Sequence, residues 1–254
     1  MRRRYELTDE EWNILEPLLP PARKKQGGRP PKDRRQMLNA VLWVARTGAP
    51  WRDLPSYYGP WSSAYSFFWR LQKANLWDEI LKHVAIEPDW EQVMVDATIV
   101  RVHQHGAGAK GGKDQQAIGR SRGGLTTKIH AVVDALGYPL RFELTPGQDH
   151  DSVTGYRLLH ELDVCPGEVL ADRAYDTNAI LGLLQSRAIT PVIPSKRNRR
   201  VKRSLDSETY KERHLIECFF NKVKNYRRLA TRYEKTSNMF MAFLTLLSIR
   251  LWLK

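Results

Sequence analysis

The chain has 254 residues, of which 42% are hydrophobic, so it can bury a core in one large domain or in two smaller ones. Its 41 lysines and arginines exceed its 28 aspartates and glutamates, and the net charge of +13 favours a polyanionic partner, usually nucleic acid and less often an acidic membrane surface. Two cysteines are too few for a disulfide framework or a zinc finger and indicate a reducing, intracellular compartment.

Neither the first residues nor the most apolar segment has the pattern of a membrane-targeting element. The sequence MRRRYELTDEEW is basic, but no apolar segment follows it, unlike in a signal peptide. The apolar run from Met239 to Ile249 has about half of the roughly 20 residues that a membrane-spanning helix needs, and Arg250 interrupts its continuation. We therefore expect a buried C-terminal helix and no membrane partner.

Residues 1–88 have the pattern of an all-helical domain. Thr8 and Glu11 have the spacing of a capping box, Gly48 is expected to end a second helix, and a third helix is expected over residues 61–77. Three helices with a turn before the last are typical of a helix-turn-helix module, although a plain helical bundle gives the same pattern. The side chains expected to face a DNA groove are Ser62, Ser63, Tyr65, Ser66 and Arg70. The Gly28-Arg29-Pro30 step is either a minor-groove contact or a solvated linker.

Residues 89–254 have the pattern of a second domain in which strands alternate with helices. The β-branched run EQVMVDATIVRV predicts the first strand, and residues 125–147 predict a hairpin joined by an Ala-Leu-Gly-Tyr turn. Two further strands, over residues 167–172 and 189–195, alternate with helices, and a last long helix begins near Glu208. The order β-β-β-α-β-α-β-α predicts an α/β domain with a mixed five-stranded sheet flanked by helices.

Two aspartates lie in these predicted strands, where an unpaired charge costs several kcal/mol. Asp96 interrupts the first strand, and Asp172 ends the strand VLAD. One such residue is commonly held by a hydrogen bond or an arginine. Two of them on separate strands of a strongly basic chain favour a shared site for a hard divalent cation such as Mg²⁺ or Mn²⁺.

The last helix is expected to supply a third carboxylate. At about 100° per residue, Glu217 falls on one polar stripe with Tyr210, Arg213 and Lys224, beside the apolar stripe that packs on the sheet. Glu212 points to a different side. Helical geometry therefore favours Glu217 as the third acid of the site.

These motifs resemble those of a known family. Tyr210, Arg213, Glu217 and Lys224, separated by two, three and six residues, resemble the Tyr-Arg-Glu-Lys signature of insertion-sequence transposases of the IS-four/IS-five superfamily. VDATIV and ADRAYD resemble the two aspartate motifs of that group, and GRSRGGLTTKIHAVVDALGYPL resembles the hairpin of its IS-five branch. The resemblance implies an RNase H-like fold with Asp96, Asp172 and Glu217 as a DDE triad. Residues 195–206 are too few for the large insertion domain that some relatives carry before the last helix.

The resemblance also implies a function. A bacterial transposase of this kind would bind terminal inverted repeats, cleave double-stranded DNA at the element ends and join the 3′-hydroxyl to target DNA. Two Mg²⁺ or Mn²⁺ ions about 3.5–4 Å apart would activate the nucleophile and stabilise the leaving oxygen. Pairing of two DNA ends implies a dimer on DNA, and the substrate implies a cytoplasmic, nucleoid-associated location. A metal-dependent nuclease without strand transfer and a catalytically idle DNA-binding regulator remain alternatives, the second disfavoured by the intact triad.

Further cations are expected to contact DNA. The resemblance implies that Arg213 and Lys224 bind phosphate near the cut and that Tyr210 helps to position it; a salt network on the helix surface is the alternative. The run KRNRRVKR suits contacts with the DNA backbone, its alternative being a disordered basic loop. Its candidate contacts are Arg197, Arg199, Arg200, Lys202 and Arg203.

The histidines give no comparable signal. His103 and His105 share one side of the first strand if that strand continues so far, but no other residues have zinc-ligand spacing. His130 and Lys128, on the predicted hairpin, either face the site or serve in packing.

Overall fold

The computed structural model describes residues 3–21, 32–109 and 112–253 of the chain. Within these residues it has ten α-helices and one seven-stranded mixed sheet, which confirms the predicted α/β class. The helices are α1 (Asp9–Leu15), α2 (Arg34–Thr47), α3 (Trp61–Lys73), α4 (Leu76–Val84), α5 (Asp151–His160), α6 (Asn178–Ser186), α7 (Ser207–Lys211), α8 (His214–Lys224), α9 (Arg227–Ala230) and α10 (Ser237–Trp252). The strands are β1 (Gln92–Val102), β2 (Gly119–Ser121), β3 (Gly124–Val133), β4 (Pro139–Pro146), β5 (Glu168–Ala171), β6 (Thr190–Val192) and β7 (Thr231–Arg232).

The chain forms two compact units. The helical unit comprises Met1–Ala85, Lys224–Thr231 and Asn238–Lys254, and the sheet unit comprises Ile86–Val223 and Arg232–Ser237. The sequence pattern predicts a single domain over residues 89–254, whereas most of α10 clusters with the N-terminal helices. The reason is that α10 is apolar around most of its circumference and must be enclosed by other helices. The predicted buried C-terminal helix is confirmed.

In the helical unit, local signals set the start of α1 and the end of α2. The predicted capping box is present at α1: Thr8 Oγ1 accepts from Glu11 N at 3.0 Å, and Glu11 Oε2 accepts from Thr8 N at 2.8 Å. The predicted stop of α2 is also confirmed, because Gly48 takes the left-handed conformation with φ of 72°.

The predicted third helix is two helices. The chain turns at Asn75, which has a φ of 53°, so α3 ends at Lys73 and α4 begins at Leu76. Residues 48–60 connect α2 to α3, which is longer than the 3–4-residue turn of a helix-turn-helix. The Gly28-Arg29-Pro30 step lies outside the described residues, so its predicted groove contact stays a prediction.

The sheet has the strand order of an RNase H-like fold. β1 lies at the centre, antiparallel to β3 and parallel to β5; β3 in turn pairs with antiparallel β4, and β5 with parallel β6. The predicted five strands are therefore present, but five is wrong as a total: β2 and β7 are added. Both are two- or three-residue pieces, too short for a periodic pattern to reveal.

The predicted long last helix is interrupted. Glu212 N and Arg213 N bond to the carbonyls of Thr209 and Tyr210, three residues earlier, so a tight turn separates α7 from α8. The apolar stripe that packs on the sheet is as predicted; it consists of Ile216, Phe219, Phe220 and Val223. In the described part of the chain, no helix has both the length and the hydropathy needed to cross a membrane.

Candidate active site

The central feature of the site is a pair of aspartates at the carboxyl ends of two neighbouring parallel strands. Val95 of β1 pairs with Ala171 of β5, and Asp96 and Asp172 are the next residues on each strand. The structure therefore brings these two predicted site residues to the same edge of the sheet. The apolar residues before them, buried under α5 and α6, fix the strands at this register.

Asp96 is held in an environment that opposes its charge. Its side chain is only 20% exposed; Oδ1 accepts from Ala97 N at 2.8 Å, and Oδ2 accepts from Arg213 at 2.9 Å. Burial raises the pKa of Asp96 above its ordinary value, and the charges of Asp172 and Glu217 add to the rise, while the Ala97 N–H and Arg213 oppose it. The net effect is that burial, more than the neighbouring carboxylates, disfavours the charged form of Asp96.

Asp172 begins a tight turn. Its Oδ1 accepts from Ala174 N at 2.8 Å, and Tyr175 N donates to the Asp172 carbonyl at 3.1 Å. The Tyr175 ring packs against Gly155 of α5, where an added Cβ would lie 2.4 Å from the ring. The Tyr175 hydroxyl is buried and has no hydrogen-bond partner among the described residues. Burial and the nearby carboxylates, Asp96 first, raise its pKa well above the ordinary value, so this hydroxyl stays protonated.

Arg213 joins the signature helix to Asp96. Besides its bond to Asp96, it donates to Glu217 Oε1, four residues further along. Its guanidinium carbon lies 5.9 Å from the centroid of the Tyr210 ring. Three of the four signature side chains therefore lie together, although the helix is interrupted between α7 and α8. Glu212 is exposed, on the turn itself.

The three carboxylates have the oxygen ligands that a divalent cation prefers, but they are not close enough together to bind one. Across the described ranges, no three His, Cys, Asp or Glu side chains are grouped closely enough to hold a metal ion. Instead, Arg213 takes one oxygen of Asp96 and one of Glu217. The oxygen donors are those that Mg²⁺ and Mn²⁺ prefer. The residues thus have the ligand chemistry of a divalent-cation site, with Arg213 occupying one oxygen each of Asp96 and Glu217.

The basic run before α7 divides into two groups. Arg197, Arg200 and Lys202 are exposed. Arg199 and Arg203, in contrast, are partly buried and both form ion pairs with Asp176, and their predicted contact with DNA stays a prediction. The connection from β6 to α7 is otherwise short, as predicted.

Lys224, the fourth signature residue, ends α8 and is half-buried, and burial lowers its pKa. On α3, the side chains of Ser62, Tyr65, Ser66 and Arg70 are exposed, as a DNA-facing surface requires. Ser63 is half-buried and bonded by Lys32. Contact of these residues with DNA stays a prediction.

Of the candidate histidines, His130 serves in packing, whereas His103 is half-buried and His105 is exposed. His130 is fully buried, its Nε2 lies 2.9 Å from Thr145 Oγ1, and burial lowers its pKa to about 4, so it is neutral. Lys128 Nζ donates to the Asp149 carbonyl at 2.6 Å and to Asp151 at 2.7 Å. The centroids of the His103 and His105 rings are 4.6 Å apart.

Comparison with known proteins identifies the family. A family model described as "Transposase DDE domain" matches residues 89–252. The chain belongs to this family. It is a DNA transposase and a divalent-metal-dependent enzyme, as the resemblance implied. A second model, described as "Putative transposase of IS4/5 family", matches residues 7–81 of the transposase.

Curated relatives agree with this assignment. The transposase is 45% identical over 131 residues to a Brucella ovis protein ascribed to insertion sequence element IS6501, covering 51% of this chain and 100% of the relative. It is 36% identical over 120 residues to a Burkholderia cepacia protein of insertion element IS402, covering 42% of this chain and 79% of the relative. Among solved structures, a piggyBac transposase synaptic complex with hairpin DNA is similar with a TM-score of 0.45 and 13% identity, over 94% of this chain and 68% of that chain.

Proposed function

We propose that this transposase cleaves DNA at the ends of its insertion sequence and joins the freed 3′-hydroxyl to target DNA, with Asp96, Asp172 and Glu217 as the catalytic triad. The register that sets Asp96 beside Asp172, at the ends of two parallel strands, carries the proposal. Glu217 is coupled to Asp96: its charge raises the pKa of Asp96, and it shares Arg213 with that residue.

The triad would hold two Mg²⁺ or Mn²⁺ ions. When bound, such ions lower the pKa of water and stabilise charge on phosphate oxygens. The remaining work belongs to side chains of the protein. Asp96 and Glu217 give up Arg213, and the freed guanidinium can then bind a phosphate of the DNA through two parallel hydrogen bonds. Tyr210 lies beside that guanidinium, and Lys224 supplies a further cation at the end of α8.

The charge of the protein suits double-stranded DNA as substrate. The net charge of +13 and the exposed cations of the basic run favour contacts with the phosphate backbone, which strengthen at low salt. Recognition of the terminal repeats is assigned to the helical unit, where α3 exposes polar and basic side chains. Two copies would pair two element ends, so a dimer is expected on DNA, in the bacterial cytoplasm with the nucleoid.

A cleavage and joining assay tests the proposal. Labelled duplexes carrying an element end are incubated with Mg²⁺ and target DNA. The wild-type protein is expected to give cut and joined products, and Asp172→Asn to give neither while it keeps its DNA affinity. Asp163→Asn, an exposed residue before β5, removes the same charge and is expected to keep full activity.

Three outcomes separate the alternatives. Cut but unjoined wild-type product would favour a nuclease. Binding without cleavage by the wild-type protein would favour an idle regulator. Wild-type rates of cleavage by Asp172→Asn would refute the triad.

A further inference from the structure

One carboxylate outside the proposed triad is buried without any exposed surface. The side chain of Asp176 is 0% exposed, and it is surrounded by donors from the basic run. Arg199 Nε lies 2.7 Å from both of its oxygens, Arg203 donates to Oδ1 at 2.9 Å, and Lys196 N donates to Oδ2 at 2.6 Å. Burial alone would raise the pKa of Asp176, but these hydrogen bonds and charges outweigh it and lower the pKa. The carboxylate is therefore ionised and fully paired.

These contacts hold together the two ends of residues 196–203, here called the basic loop. Arg203 also donates to the Ile193 carbonyl at 3.0 Å, and its backbone N donates to Ser195 Oγ at 3.1 Å. Arg199 reaches Asn178 Oδ1 at 3.0 Å. Both ends of the basic loop are thus bound at one place, on the segment that follows β5. Of its other cations, Lys196 is half-buried, and Arg197, Arg200 and Lys202 are exposed.

The same short turn carries Asp176 and a member of the triad. Asp172 begins the turn, and Asp176 N donates to the Arg173 carbonyl at 3.2 Å at its end. Hydrogen bonds within the turn fix the spacing between the two carboxylates. Asp176 therefore binds the basic loop to the segment from which Asp172 extends.

We propose that Asp176 is a positioning residue for DNA: it holds the basic loop in the conformation in which Arg197, Arg200 and Lys202 contact the phosphates of double-stranded DNA. Arg199 and Arg203 then fix the basic loop through their ion pairs with Asp176 and do not contact DNA. The inference rests on the DNA-binding role proposed above, but not on cleavage or joining. Without the Asp176 carboxylate, Arg199 and Arg203 repel each other and the basic loop loses its fixed conformation. Phosphate binding must then order the loop, at a cost in conformational entropy.

The test is the DNA affinity of Asp176→Asn, measured by fluorescence anisotropy on a duplex in EDTA over a range of salt concentrations. Removing a carboxylate makes the protein more positive, so simple electrostatics predicts tighter binding. Loss of positioning predicts the opposite: binding roughly tenfold weaker at 0.1 M salt. The slope of log affinity against log salt should also fall, by up to about 2.7 if all three phosphate contacts are lost, at roughly 0.9 for each. Asp163→Asn has the same charge change on an exposed loop and is expected to bind as tightly as wild type or slightly tighter.

A second comparison separates positioning from a general loss of structure. In a triple variant with Arg197, Arg200 and Lys202 all changed to Gln, DNA affinity is expected to be low already, and adding Asp176→Asn should lower it no further. Unchanged affinity of the triple variant would overturn the DNA contacts of the basic loop. Weaker binding by the triple variant together with wild-type binding by Asp176→Asn would overturn the role of Asp176. So would an equal loss from Asp176→Asn in both backgrounds.

If Asp176→Asn does not fold, Arg199→Lys tests the positioning role of Asp176 instead. It keeps the charge but cannot bond Asp176 and Asn178 together, so it should weaken DNA binding by a smaller factor and in the same direction. If folded Arg199→Lys had the wild-type DNA affinity and the wild-type slope of log affinity against log salt, Arg199 would not fix the basic loop. Because every arm reads binding without divalent cations, failure of the joining assay would leave these results unaffected.

Discussion

Arg213 should oppose the binding of divalent cations to the DNA-free transposase. Its guanidinium occupies one oxygen of Asp96 and one of Glu217, the same carboxylates that a cation would need. Arg213→Gln removes the charge and keeps a polar, though shorter, side chain. We expect this variant to bind Mn²⁺ more tightly than the wild-type protein.

The size of the effect follows from the ion pair with Asp96. Opposite charges about 4 Å apart attract by about 1 kcal/mol in water and about 4 kcal/mol at the effective permittivity of 20 that suits protein surfaces. The two side chains are 19% and 20% exposed, so a value between these limits, about 2 kcal/mol, is appropriate. Since about 1.4 kcal/mol is a factor of ten, Mn²⁺ affinity should rise roughly thirtyfold.

Titration of free Mn²⁺ by electron paramagnetic resonance measures this affinity. Lys222→Gln is the matched control, because Lys222 is exposed on the same helix and loses the same charge; its Mn²⁺ affinity should change by less than about threefold, as screened surface charges do. DNA cleavage by Arg213→Gln should nevertheless be slower, because a phosphate contact is lost. Unchanged or weaker Mn²⁺ binding by Arg213→Gln, or an equal gain in Lys222→Gln, would refute the competition.

Three further outcomes are expected. Glu217→Gln should lower single-turnover cleavage by several orders of magnitude, and Glu212→Gln by less than about threefold; the reverse order would show that Glu217 is not the third acid. Metal-free Asp96→Asn should be more stable than wild type in urea at pH 7, by about 1.4 kcal/mol for each unit by which the pKa of Asp96 is raised. This gain in stability should vanish below about pH 4, because the carboxyl group of Asp96 is then protonated in both folded and unfolded wild type. Asp176→Asn should instead be less stable than wild type, because the lowered pKa of Asp176 stabilises the fold above about pH 4. That stability is lost as the pH falls through the pKa of Asp176 in the folded protein. A change in stability of the same sign in the two variants would contradict the opposite pKa shifts of Asp96 and Asp176. A fragment starting at residue 89 should aggregate in size-exclusion chromatography, since it lacks the helices that enclose α10; a monomeric fragment would show that α10 does not need them.

The site could be predicted from sequence where one element carries the signal. Asp96 and Asp172 are conspicuous as charges at the ends of apolar strands, and parallel strands bring their carboxyl ends together. Glu217 follows from helical spacing. That spacing survives because Arg213 immediately precedes α8, the helix that carries Glu217.

The parts that were missed depend on contacts between distant segments. Asp176 interacts with residues 20 to 27 positions away, and no periodic pattern reports such a partner. The available signal was chemical: a second acid follows ADRAY, and a basic run comes soon after it. The membership of α10 in the helical unit was also missed, because its apolar surface shows that it is buried but not against which helices.

Anomalous scattering from crystals of the DNA-bound transposase soaked with Mn²⁺ tests the proposed triad most directly. We expect Mn²⁺ peaks between the carboxylates of Asp96, Asp172 and Glu217, with Arg213 moved away from Asp96 onto a DNA phosphate. Peaks elsewhere, or none while Arg213 still bridges Asp96 and Glu217, would contradict it.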